Sequence, residues 1–185
     1  MRKKLRAFSA SVFVCGMGTL LLAPGGVARS GSVKTQVPDG PLVGQIEHLR
    51  ATTWRWERVM SRPLTGGSTT YRTDPSRRYR RWVRDLWRVR AVHARHRALH
   101  PPFRSIWLCI HRYEASWHDG GPPYYGGLQM DVSFQLHYGR QLYRLKGTAD
   151  HWTPLEQIWV ADRARRSGRG FSPWPSTARL CGAAY

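Results

Sequence analysis

Gly120-Gly121-Pro122-Pro123-Tyr124-Tyr125-Gly126-Gly127-Leu128-Gln129-Met130-Asp131 is the stretch on which the fold turns. It holds too much Gly and Pro for a helix. It reads as a short β-hairpin or extended loop whose glycines let a ligand approach the backbone between aromatic faces. Before it, Ile106, Cys109, Ile110 and Tyr113 follow i, i+3, i+4, i+7, which predicts a helix over Ser105 to Glu114 with that face buried. After it, Val132 to Tyr138 resumes helical character with Asp131 as its cap. Thr153-Pro154-Leu155-Glu156 combines a capping box with Pro at the first helical position and opens a helix running to about Ser167, before Gly168. Helix, small β segment and further helices make the expected class α+β, mainly α.

Upstream, residues 45–104 form a basic helical region. Gln45 to Met60 reads as a short helix, with Ile46, Leu49, Thr53, Trp56 and Met60 at helical spacing. Ser61 to Ser76, rich in Pro, Gly and Thr, interrupts it. A longer helix begins near Asp74, an N-cap candidate with Pro75 at the first position, and ends at His100-Pro101-Pro102. Tyr79, Trp82, Val83, Leu86 and Arg90 mark one face, and arginines surround the rest. Such a helix fits nucleic acid, a membrane surface or an anionic polymer outside the cell. It equally fits an aromatic stripe packed on the C-terminal part with solvated arginines.

The 185 residues suit one modest domain with extensions, and 41% hydrophobic residues can build a core despite the net charge of +19. Met1 to Arg6 carries four basic residues, Ala7 to Leu22 is mostly apolar, and Gly25-Gly26-Val27-Ala28 follows. That is the layout of a secretory signal over 1–28, with a flexible segment over 29–44. Its apolar stretch is shorter than the roughly 20 residues a membrane span needs. Export weakens the nucleic-acid reading. It also removes Cys15 and leaves Cys109 and Cys181, for which a structural disulfide is the default in an oxidising compartment. Charge is uneven: Arg29 to Arg104 carries 17 basic and 5 acidic residues, net +12, whereas Ser105 to Tyr185 carries 9 and 6, net +3.

Glu114 is the carboxylate with a chemical reading. It ends the predicted helix next to the buried face, where burial beside Tyr113 and Trp117 and the helix C-terminus both favour a retained proton. A solvated carboxylate paired with Arg112 or His111 is the structural alternative. Asp119 reads as a turn residue and Asp131 as a cap. Tyr124, Tyr125, Trp117, Trp152 and Trp174 have faces on which a sugar could stack, although the last two also suit a small core. The histidines are scattered without ligand spacing, so no metal is expected. No nucleophile elbow, phosphate loop or dinucleotide fingerprint occurs, so no cofactor is expected.

The run Trp107-x-Cys109, Glu114, Trp117, Tyr124-Tyr125-Gly126-Gly127-Leu128-Gln129-Met130, Tyr138-Gly139, Pro154-x-Glu156-Gln157, Ala161, Gly170, Trp174-Pro175, Cys181 resembles the transglycosylase-like domain of bacterial resuscitation-promoting factors. The resemblance spans about Ser105 to Gly182 and implies a lysozyme-like domain over 105–185, preceded by the basic helices. It implies a secreted, wall-associated, monomeric enzyme cutting the β-1,4 bond between N-acetylmuramic acid and N-acetylglucosamine. Glu114 then aligns with the catalytic carboxylate. Gln129 and the Tyr124, Tyr125, Gly126, Gly127 segment align with substrate contacts, and Cys109 with Cys181 aligns with the disulfide. The pattern departs in one respect: the family's Glu directly follows its first Cys, whereas four residues separate Cys109 from Glu114 here. The bridge would therefore anchor a different level of the helix.

Overall fold

Helix α1, Pro41–Val59, starts four residues earlier than its apolar spacing predicts, because Pro41 at the first helical position supplies a preset φ and needs no donor. A computed structural model describes residues 40–183, so the proposed signal over 1–28, Cys15 and most of the segment over 29–44 lie outside the described residues. Helix α2 is Arg77–Leu99. Its cap is Ser76, whose Oγ accepts from Tyr79 N at 3.2 Å, rather than Asp74. Asp74 instead accepts from Ser76 N at 2.7 Å and shapes the approach to the helix.

The buried face of α2 also differs from the expected one. Arg80, Val83, Trp87, Ala91, Ala94 and Ala98 face inward, whereas Trp82 is 60% exposed. Three alanines at helical spacing let another backbone come close, and Trp87 fills the wider end. Its ring meets Trp54 edge-on at 6.2 Å, and a Cβ on Gly67 would lie 2.8 Å from Trp87 Cζ2. Val43, Ile46, Tyr71, Val83 and Trp87 form the core of this helical pair. Arg50 is buried among the rings of Trp54, Trp87 and Tyr71, at 4.8, 5.3 and 5.6 Å from their centroids, and donates to the Tyr71 hydroxyl. Glu57 accepts from the backbone N and the hydroxyl of Thr65, which ties the connecting loop down.

Helix α3, Arg104–Glu114, is followed by strands β1, Tyr124–Tyr125, and β2, Met130–Asp131. They pair antiparallel, with Tyr124 opposite Asp131 and Tyr125 opposite Met130. Helix α4, Val132–Tyr138, has the expected bounds and cap, Asp131 Oδ1 accepting from Phe134 N at 2.7 Å. Helix α5 is Arg140–Lys146 and helix α6 is Pro154–Ala164, with both halves of the capping box on Thr153 and Glu156 formed. A wider turn over Arg165–Arg169 carries the chain to Gly168 at φ 98°, and helix α7 is Pro175–Leu180. The protein is thus α+β and mainly α.

The core of the C-terminal part is aromatic. Trp107 of α3 packs on Phe171 and Trp174 at 4.8 and 5.1 Å. The fully buried residues of α3 are therefore Trp107 and Ile110; Ile106 and Cys109 are only half-buried, and Tyr113 is 60% exposed. The expected stripe was rotated because a Trp one position along buries more area than Ile106. Trp174 and Trp152 are buried with their indole N–H groups satisfied, at 2.7 Å by Leu128 O and 3.0 Å by Gly147 O. They are core residues and have no free face for a sugar. A further cluster of Met60, Ala98 and Trp159 joins the helical pair to α6, with Trp159 Nε1 donating to Ala98 O at 2.9 Å. No helix of the described residues is long and apolar enough to cross a membrane.

Candidate active site

Glu114 is the last residue of α3 and is half-buried. Its Oε1 accepts from the Thr177 hydroxyl at 2.7 Å. Thr177 lies on α7, the helix whose C-cap is Cys181, and Cys181 is bridged to Cys109. Two rungs therefore join α3 to α7: the disulfide near the middle of α3 and the Thr177 hydrogen bond at its end. The partner of Glu114 is neither Arg112 nor His111. Among the described residues, Oε2 has no hydrogen-bond partner.

His111, one turn before Glu114 on a neighbouring part of the same face, fixes the hairpin against α3. Its ring stacks on Trp117 at 3.9 Å, and Nδ1 donates to Gly127 O at 3.3 Å. The carboxyl of Glu114 thus belongs to a helix turn that abuts the hairpin. Within the hairpin, Gly126 has φ 72° and Gln129 has φ 48°, so both occupy the left-handed region. For Gln129 the conformation is held by its own amide, Nε2 donating to Asp119 Oδ2 at 2.8 Å and Gly126 O at 3.0 Å. Asp119 also accepts from Gly121 N at 3.2 Å, in keeping with the turn role expected of it.

Gly126 and Gly127 are buried, and the space beside them is filled by protein. A Cβ on Gly126 would lie 2.5 Å from Gln157 Oε1, and one on Gly127 would lie 2.5 Å from His111 Nδ1 and 2.7 Å from Trp117 Cε3. Their lack of a side chain serves internal packing, not the approach of a ligand to the backbone. Of the proposed contacts in the segment, Tyr124 is 49% exposed, and Tyr125 and Gln129 are half-buried. Trp117 is half-buried, with one face covered by His111.

Gln157 is the residue that reading the sequence does not single out, since it enters only as a matched position in the resemblance. It is fully buried on α6. Its Oε1 accepts from Gly127 N at 2.9 Å, and its Nε2 donates to the carbonyls of Trp117 and Ala149 at 2.8 Å and of Trp152 at 3.2 Å. One amide thus holds the hairpin, the loop after α3 and the turn before α6. A Gln directly after a capping-box Glu was its one local signal, and that signal does not reveal long-range partners. No protein-family model matches the chain, and no match is found among curated proteins.

Proposed function

We propose that the protein is a secreted, peptidoglycan-cleaving enzyme of lytic-transglycosylase or lysozyme type, in which Glu114 is the general acid and base. The observation that carries this reading is the placement of a half-buried carboxyl at the end of α3, on the helix turn that His111 locks to the hairpin bearing Tyr124, Tyr125 and Gln129. A glycosidic bond breaks when an acid protonates the leaving oxygen while positive charge develops on the sugar. In this reading Oε2 gives its proton to that oxygen, since Oε1 is engaged by Thr177. The resulting carboxylate then removes a proton from the muramic acid 6-hydroxyl. That oxygen closes on the anomeric carbon to give a 1,6-anhydro end; water in its place gives a reducing end. Asp119 and Asp131 are committed to the turn and the cap, which favours the route needing one carboxylate.

Tyr124, Tyr125, Trp117 and Gln129 are the proposed sugar contacts, with Gly126 and Gly127 shaping the hairpin that carries them. Anionic wall polymers or a membrane surface are proposed as partners of residues 74–99, where Trp82 is exposed among arginines. The four-residue displacement of Glu114 from Cys109 supports a second reading, a wall-binding protein without catalysis. Digestion of purified cell walls followed by mass spectrometry separates the two. Release of anhydro-muropeptides by the wild type, lost in Glu114→Gln with the circular dichroism spectrum unchanged, is expected of the enzyme; wall binding without release would establish the second reading.

A further inference from the structure

Away from Glu114, the end of α1, helix α5 and one side of α6 enclose a groove of about 230 Å³. That is just below the range of about 300–1,000 Å³ usual for small-molecule pockets, so its occupant is small. Val59, Leu142 and Leu145 give it apolar walls, and Arg55, Arg58 and Arg140 stand around it. Arg163, on α6, also lines it. Its Nε is shut off from solvent with no hydrogen-bond partner. Among the described residues no carboxylate forms an ion pair with it. Neighbouring Asp162 is fully buried and gives one oxygen to Arg165 and the other to Arg166, at 2.9 and 2.8 Å. Glu156, which also lines the groove, is held through both oxygens by Lys146 at 2.8 and 2.7 Å. Desolvation, with the charge of Arg166 adding to it and Asp162 opposing, pushes the Arg163 guanidinium down to about 10.

A cation largely withdrawn from water with no carboxylate bonded to it is costly, and an anion arriving beside it offsets that cost. We propose that this groove binds a medium-chain monocarboxylate, its head group on Arg163 and its alkyl chain against Leu142, Leu145 and Val59. The head is singly charged because one desolvated guanidinium is to be neutralised, and its planar fork matches a carboxylate. The arginines around the mouth are exposed and act by attracting anions, not by holding them.

Calorimetric titration of the full chain with octanoate tests the proposal, with 1-octanol as the uncharged chain and acetate as the charge without a chain. Octanoate is expected to bind at one site per molecule, with both controls at least about tenfold weaker. Arg163→Gln is expected to weaken octanoate about tenfold or more while leaving octanol unchanged. Leu145→Asp, at an exposed wall position, places a negative charge at the mouth and is expected to weaken octanoate similarly, so the test stands even if Arg163→Gln does not fold. Absence of saturable binding, equal binding of octanoate and octanol, equal binding of acetate, or octanoate affinity unchanged in a folded variant would overturn the proposal.

Discussion

Thr177 and Gln157 show how much of the candidate site is decided by single side chains far apart in sequence. Thr177 orients one oxygen of Glu114 from 63 residues away. If Glu114 acts on a glycan, Thr177→Val is expected to lower kcat for muropeptide release more than it raises KM, since it frees the carboxyl to rotate without altering the sugar contacts. Gln157→Leu keeps the volume but removes the partner of Gly127 N–H and of the Trp117 and Trp152 carbonyls, and one of two donors to Ala149 O; a loss of about 2–4 kcal/mol in urea unfolding is expected. The place of Glu114 at the end of α3, ahead of the Gly- and Tyr-rich hairpin, was legible. Thr177 and Gln157 were not, since a hydrogen bond across such distances leaves no periodicity in the sequence.

At the scale of elements, most short-range chemistry was legible, the α2 cap at Ser76 rather than Asp74 being an exception, and the direction of faces was not. The hairpin, the Asp131 cap and the Thr153 capping box follow from local backbone demands and were read at the right positions. The inward face of α2 depends on what α1 offers it, so alanines that spacing arguments discount became the contact and Trp82 was left outside. Trp87→Ala is therefore expected to cost about 3–5 kcal/mol, whereas Trp82→Ala leaves thermal stability nearly unchanged. The join between α1 and the turn at Tyr71 and Arg72 also carries a pH dependence. Burial opposes ionisation of Glu47, but hydrogen bonds from Tyr71 and Arg72 and the charges of Arg72 and Arg50 outweigh it, holding the carboxyl below its usual 4.5. A carboxyl lowered on folding stabilises above that usual value, and the contribution is lost as acid titrates the folded form. In urea midpoints measured against pH, Glu47→Gln is expected to fall off less steeply below about pH 4.5 than wild type.

Over the whole molecule, the sequence showed a charge-rich N-terminal part and a less basic C-terminal part, but not their junction. Trp159 makes that junction by filling space against Met60 and Ala98 and donating to Ala98 O. Trp159→Phe retains most of the packing and removes the donor, and is expected to cost about 1 kcal/mol. The pairing of Cys109 with Cys181 was the default for two cysteines in an exported chain, and the structure contains it. Replacing both by Ser frees a loop with a sequence separation of 72 and is expected to lower stability by up to about 4 kcal/mol, read from chemical denaturation.

That bridge also decides what a cut chain looks like. Residues 144–147, at the end of α5, are exposed, and Arg144 and Lys146 offer cleavage points to trypsin inside the span the two cysteines enclose. A molecule nicked there remains one covalent particle, and its fragments separate on a gel only after a thiol reagent is added.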